Sequence, residues 1–486
     1  MAGLVRAGQI GFNPAIIERA QTFYNGFQML DRLLVKNFKS WSTLDIEFKT
    51  VTGLFGTNSS GKSSILQFLL LLKQTKNATD RGLTLDFGGP DQFVNLGSFS
   101  DVINLHNNNC KLEWKLRWKL PKELLIADPS GKRTDILFRS TKITAQSEVT
   151  LEDKIPTSGR LQYNFGGYKF ILQPKKEGSS EFILNCEWKP PQNSFQFVRN
   201  KARAWALPGP IKTHLFPDQA KTYFQNSDFL GVLESEYESM MDAIYYLGPL
   251  RAPPRREYPW SGASPSDVGV RGERAVEAIL AATVRGETRN LGGKTHYKPF
   301  QGMIAYWLQK IGLIDSFRIE EIGSGANLYR AIVKRDKDGP DALLTDVGFG
   351  VSQVLPALVL LQYVPTGSTV LMEQPEIHLH PAVQSGLADA IIKIAQTRKL
   401  QVIVESHSEH MLRRFQRRVA DETIPSDDLR LYFCDNKNGE AKLNDLKLNE
   451  FGEIENWPTN FFGDEMTEIA ETRMAALTRK IKSQKP

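Results

Sequence analysis

The run "GTNSSGKSS" at 56–64 sets Gly56 and Gly61 around four residues and follows them with Lys62 and Ser63. Glycines at this spacing let backbone N–H groups turn inward around phosphate oxygens, and the start of a following helix adds partial positive charge. The pattern predicts a loop for a nucleoside triphosphate, ATP, with Lys62 on the β- and γ-phosphates and Ser63 on Mg²⁺. Asn58, Ser59, Ser60 and Ser64 belong to the same loop and are read with it as nucleotide contacts.

The run "TVLMEQPEIHLHP" at 369–381 is an apolar strand that ends in a carboxylate, Glu373. A buried carboxylate there needs a cation or a donor, so Glu373 is expected to hold Mg²⁺ through water, opposite Ser63. ATPases of this design usually follow that acid with a glutamate that polarises the attacking water; here Gln374 stands in its place. An amide can orient water but cannot take its proton. Two readings stay open: Glu376 takes the role, or hydrolysis is slow and ATP acts mainly to hold a dimer together. In "VIVESHSEH" at 402–410, His407 follows a strand and is expected at the γ-phosphate. The spacing of His378, His380, His407 and His410 also resembles metal sites, but turn-shaping and packing roles account better for those outside the phosphate site.

These residues need strands to carry them and helices to back them. "VTGLFG" at 51–56 predicts a strand entering the loop, and "SSILQFLLLL" after it predicts a helix buried on most sides. A β-hairpin is expected over 30–49, turning at Lys39–Trp41. Strict alternation in "KLEWKLRWKL" puts Leu112, Trp114, Leu116, Trp118 and Leu120 on one face. Pro381 marks the first turn of a helix. The pattern predicts an α/β fold: an N-terminal extension at 1–28, a first half of the ATPase head at 29–100, a β-rich insertion at 101–245, a linker and helical region with a basic Pro/Arg-rich loop at 246–340, a second half at 341–440 and a short C-terminal domain at 441–486.

The 486 residues carry 61 basic and 55 acidic side chains, a net charge of +6 that permits nucleic-acid binding without arguing for it. Three widely spaced cysteines argue against a disulfide framework, and the apolar runs are too short to span a membrane, so a cytoplasmic protein without membrane contact is expected. Two arginine clusters, Arg413, Arg414, Arg417 and Arg418 on one predicted helix and Arg251, Arg255, Arg256, Arg271 and Arg274 near the proline-rich loop, are candidates for DNA or RNA phosphates.

Taken together, "LLVKNFKSW", the phosphate loop, "DVGFGVSQVLP", "LMEQPEIHLHP" and "VIVESHS" resemble the ABC-type ATPase heads of the SMC, RecF and OLD-like group. Within it, the chain resembles a bacterial AAA-type subgroup that ends in a short uncharacterised domain, marked here by "GEIENWPTNFF", and is common in antiphage defence systems. The resemblance implies a P-loop head whose site is completed by a second copy, with two ATPs sandwiched in a homodimer. It implies that Gly350, Ser352 and Gln353 reach the partner's γ-phosphate, that Lys39 and Ser40 touch the nucleotide, and that a glutamine, for which Gln92 is the candidate, helps to hold Mg²⁺. OLD-like relatives often carry a nuclease domain; with about 75 residues after the "ESHSEH" run and no D-x-D, that activity is expected from a separate effector protein. The alternatives are a DNA-repair head of the RecF/SMC kind and an ATP sensor with negligible turnover.

Overall fold

The computed structural model describes residues 28–457 apart from 91, 129–134, 177, 191, 201–205 and 324, together with 473, 474 and 476. The expected N-terminal extension, save its last residue, and the helical basic end of the chain, save residues 473, 474 and 476, lie outside the described residues.

Strands β1 (Met29–Phe38), β2 (Trp41–Glu47) and β3 (Val51–Gly56) lead into α1 (Lys62–Asn77) and a short α2 (Phe99–Val102). Five strands follow: β4 (Leu112–Ala127), β5 (Ile136–Glu152), β6 (Ile155–Phe165), β7 (Tyr168–Pro174) and β8 (Phe182–Trp188). Then come α3 (Asp218–Tyr223), α4 (Phe229–Asp242), β9 (Ile244–Leu247), β10 (Tyr258–Pro259), α5 (Ala275–Val284), a ribbon of β11 (Thr288–Arg289) and β12 (Lys298–Pro299), and α6 (Phe300–Lys310). A small sheet of β13 (Ser316–Glu321), β14 (Leu328–Lys334) and β15 (Asp341–Leu343), joined by β10, precedes α7 (Phe349–Tyr363). The chain continues through β16 (Thr369–Glu373), α8 (Pro381–Arg398), β17 (Gln401–Glu405), α9 (Glu409–Ala420), β18 (Leu429–Lys437) and β19 (Glu440–Leu446).

Two large sheets organise these elements. One is antiparallel, in the order β2-β1-β4-β5-β6-β7-β8. The other runs β19-β18-β3-β17-β16-β9, with the last five strands parallel and β19 antiparallel at the edge. Parallel strands buried on both faces read as unbroken apolar runs, as "VLME" and "VIVE" do. Their alternate side chains divide between two cores. Leu54, Leu371 and Ile403 join the apolar side of the antiparallel sheet, and Phe55, Met372 and Val404 face the packed helices α5 to α9.

Helix α1 is wedged into the first core, which explains why it is apolar around most of its circumference. Phe68 packs edge-on against Phe38 at 5.0 Å and Trp114 at 5.7 Å between ring centroids. The stripe Leu112 to Leu120 is buried as its alternation predicts. The region 101–245, expected as an insertion between two halves, differs in one respect: its strands are not set apart from the head. β4 pairs along β1, with Val35 opposite Trp114, and β9 joins the parallel sheet beside β16. A one-faced strand such as β4 needs an apolar layer to cover it, and α1 supplies one, with Phe68 on Trp114.

Candidate nucleotide-binding site

The site lies where β3, β17 and β16 end side by side, the crevice at the carboxyl ends of parallel strands where ligands bind in open α/β sheets. The sheet register places Glu373 directly beside Glu405, and Glu405 beside Leu54 of the strand that enters the phosphate loop. The loop bends where only glycine fits. Gly56 has φ +140°, and a Cβ there would stand 2.0 Å from the Cys434 carbonyl oxygen. Gly61 has φ +88°, and a Cβ would press within 2.8 Å of Ser40 Oγ.

The cavity over the loop has a volume of about 380 Å³ and is lined by Lys39, Ser40, Asn58 to Ser64, Gln67, Gln374, Glu405 and His407. Lys62 Nζ curls back onto its own loop, donating to the carbonyls of Gly56 (3.1 Å) and Thr57 (2.6 Å) and to Ser60 Oγ (3.3 Å). Burial lowers its pKa against the opposing pull of Glu405. Lys39 sits in the β1–β2 turn with φ +50°, and its ammonium donates to Gln67 Oε1 at 2.5 Å. Burial lowers its pKa as well, with Glu373 acting the other way. The loop is braced from both sheets: Trp41 Nε1 donates to the Gly61 carbonyl, Ala441 N to the Ser40 carbonyl, and Asn436 Nδ2 to the Ser59 carbonyl.

Three buried carboxylates stand near these strand ends, and of them Glu405 lines the cavity. Glu373 is buried and does not line the cavity; its Oε1 accepts from the Tyr246 hydroxyl at 2.8 Å, and Arg251 donates to its carbonyl at 3.3 Å. Burial raises its pKa, while Tyr246, Arg251 and Lys39 oppose the rise. Glu405 accepts from Ser63 Oγ at 2.9 Å, and burial with the nearby Glu373 pushes it up to about 7. Glu376 is 5% exposed, accepts from Ser406 Oγ (2.7 Å) and from the His407 N–H (2.8 Å), and does not line the cavity. Its geometry departs from the expectation of a water-activating base: Oε1 fixes the turn that presents His407, and Oε2 is buried without a hydrogen-bond partner among the described residues. His407 itself lines the cavity, its pKa lowered by burial and by Lys62.

Gln374 lines the cavity in a left-handed conformation, φ +44°, with its N–H on the Glu405 carbonyl. Gln92 does not reach the site. It lies in a different cavity, where its amide is 3.4 Å from Asp86, and Gln67, one turn into α1 from Ser63, is the glutamine beside the phosphate loop. Gly350, Ser352 and Gln353 fall in the first turns of α7 and line no part of the phosphate cavity. Ser352 Oγ donates to the Phe349 carbonyl, and the Phe349 side chain before it is 72% exposed. His380 caps α8 by accepting from Ala382 N, and His378 packs its ring near Phe349. No group of three or more His, Cys, Asp or Glu side chains among the described residues converges to hold a metal ion.

A family model described as an AAA ATPase domain matches residues 29–181 and 286–412, more than half of the 486 residues. This chain belongs to the AAA ATPase domain family. A second model, a protein of unknown function (DUF3696), matches residues 424–471. Among solved structures, this AAA ATPase domain chain is similar to an SMC head bound to the C-winged helix domain of ScpA, with 13% identity over 87% of this chain and 98% of that one and a TM-score of 0.40. It is also similar to the SMC head domain from Thermotoga maritima, at 11% identity over 86% and 99% of the two chains with a TM-score of 0.37. An SMC head with an extended coiled coil, bound to the C-terminal domain of ScpA from Pyrococcus furiosus, gives 13% identity, 87% and 97% coverage and a TM-score of 0.42. Comparison with curated proteins gives no match.

The arginine clusters of this AAA ATPase domain chain are largely engaged. Arg418 holds Asp389 at 2.6 Å and Asp421 at 2.6 Å, Arg413 pairs with Glu409, and Arg414 lies 3.7 Å from Asp389. Arg256 pairs with Asp346 and Arg274 with Asp267. Arg251 is buried beneath the acidic strand, where burial lowers its pKa to about 10. No helix among the described residues is long and apolar enough to cross a membrane.

Sequence reasoning passed over Glu405, Gln67 and Tyr246, and read Arg251 only as one of a basic cluster. A signal for Glu405 was present: "QVIVE", like "TVLME", is an apolar strand ending in a carboxylate. Tyr246 and Arg251 carry no such mark, because only the pairing of β9 with β16 brings them under Glu373.

Proposed function

We propose that this chain binds ATP with Mg²⁺ in the cavity at the ends of β3, β17 and β16, hydrolyses it slowly, and closes on a second copy when ATP is bound. The observation that carries the reading is the single cavity in which the phosphate loop, Lys39, Gln374, Glu405 and His407 converge. Loop N–H groups and Lys62, released from its carbonyls, bind the phosphates, and His407 stands at the γ-phosphate. A cation held beside Ser63 would supply charge neutralisation to the phosphates. The orphaned, buried Oε2 of Glu405 fits the presence of a cation beside Ser63. Gln374 orients the attacking water without accepting its proton.

In this reading Gly350, Ser352 and Gln353 act on the partner's nucleotide, which accords with their place outside their own cavity and with the exposed Phe349 beside them. Opening and closing of the dimer then gates a separate effector, such as a nuclease, in bacterial antiphage defence. A second reading, a nucleotide-sensing scaffold with negligible turnover, is favoured by one observation: Gln374 lines the cavity where a base is wanted while Glu376 is tied to the His407 turn. The test is steady-state phosphate release by the purified chain, with and without duplex DNA, together with its oligomeric state by light scattering with and without ATP. A Lys62→Ala chain is the control. Turnover and dimerisation above that control support the main reading; dimerisation without turnover supports the scaffold. Neither, at saturating ATP, refutes both.

A further inference from the structure

The carboxylate in contact with the Ser63 hydroxyl is Glu405, not Glu373. We propose that Glu405, together with Ser63, holds the divalent cation that accompanies bound ATP, and that Glu373 stands behind it as a structural acid. This rests on the nucleotide reading above and deepens it by moving the cation's carboxylate to the neighbouring strand.

Four observations lead there. Ser63 Oγ donates to Glu405 Oε1 at 2.9 Å; a hydroxyl that gives its hydrogen to a carboxylate keeps lone pairs for a cation. Glu405 lines the cavity, whereas Glu373 does not, and Glu373 Oε1 is already engaged by Tyr246. Glu405 is 2% exposed and its Oε2 has no hydrogen-bond partner among the described residues; a carboxylate withdrawn from water with an unpaired oxygen calls for a positive charge. Lys62 does not supply it by contact, since its ammonium is directed at Gly56, Thr57 and Ser60. A hard cation bound mainly by phosphates needs only one or two protein carboxylates, so the lack, among the described residues, of three or more side chains converging as metal ligands is consistent with the assignment.

The test uses Mn²⁺ as the cation and a fluorescent ATP analogue on the full chain. Its affinity is measured with Mn²⁺ and again in EDTA, for the native protein, Glu405→Gln and Glu373→Gln. The native chain binds more tightly with the metal. Glu405→Gln is expected to lower that enhancement by about tenfold or more, the scale of perturbed metal shells, while affinity in EDTA is retained. Glu373→Gln is expected to keep most of the enhancement. A Glu405→Asp chain, which keeps the charge on a shorter stem, should show an intermediate loss and serves as the deciding variant if the glutamine chain does not fold. An enhancement unchanged in Glu405→Gln or Glu405→Asp, or one lost instead in Glu373→Gln, overturns the assignment while leaving ATP binding intact. Absence of ATP binding by the native chain in both conditions removes the nucleotide reading itself, and this assignment with it.

Discussion

Replacing Gly56 with alanine tests how the sheet shapes the phosphate loop. At φ +140° an L-residue carries strain of about 1–3 kcal/mol. The added Cβ would also stand 2.0 Å from the Cys434 carbonyl oxygen, so β18 must move away from β3 at the rung where Cys434 pairs with Gly56. Losing that rung adds about 1 kcal/mol. Together these come to roughly 2–4 kcal/mol, or about 30- to 1000-fold in an equilibrium constant. The carbonyl oxygen of Gly56 itself receives Lys62 Nζ, so a displacement of this residue should reach the nucleotide. We expect Gly56→Ala to lower the urea midpoint and to weaken ATP binding by at least about tenfold in the fraction that remains folded. Unfolding is followed by tryptophan fluorescence and binding by a fluorescent ATP analogue. A variant with native midpoint and native ATP affinity would falsify the argument that β18 sets the loop's geometry.

Gly231→Ala is the matched contrast. Gly231 lies within α4 and a Cβ there meets open space, so the change should stabilise the protein by up to about 1 kcal/mol in the same urea assay without altering ATP affinity. Gln374→Glu returns a proton acceptor to the cavity and should raise phosphate release by about tenfold or more, since positioned bases contribute about 10²–10⁴; turnover within twofold of native means that the base is not what limits the rate. With neither nucleotide nor metal, Glu405 is pushed up to about 7 from its ordinary 4.5. Its protonated form is favoured in the folded state, so its contribution is fully present below about pH 4.5 and is lost as pH rises through about 7. Thermal melting of the native chain against Glu405→Gln should therefore show the variant's relative stability increasing from pH 5 to pH 8, and a constant difference would contradict the shift.

Local chemistry was legible wherever a stretch of sequence carried its own geometry. The phosphate loop, the strand ending at Glu373, the turn carrying His407, the hairpin turning at Lys39 and the buried stripe from Leu112 to Leu120 depend on neighbours in sequence or on simple periodicity. What pairing between distant strands decides was not legible. Glu405 and Glu373 end similar strands, yet only the β9–β16 contact gives Tyr246 to Glu373 and leaves Glu405 beside Ser63. The same cause hid the continuity of β4 with β1 and made Arg251 look like a surface charge. Gln92 was selected by range along the chain, whereas Gln67 reaches the cavity through the helical turn that follows Ser63.

The strand that feeds the phosphate loop, β3, has both of its sheet neighbours in the last quarter of the described chain: β17 at Gln401–Glu405 and β18 at Leu429–Lys437. During synthesis at about 5–20 residues per second, β3 therefore waits roughly 20–80 s for the partners that give it a fixed edge. Until then the loop has neither Glu405 beside Ser63 nor Asn436 on the Ser59 carbonyl. A ribosome-bound or prematurely terminated chain that stops short of β18 would carry the full phosphate-loop motif and yet lack the walls that make it a nucleotide site. Nucleotide capture thus becomes a report that the polypeptide has been made through to its final parallel strand.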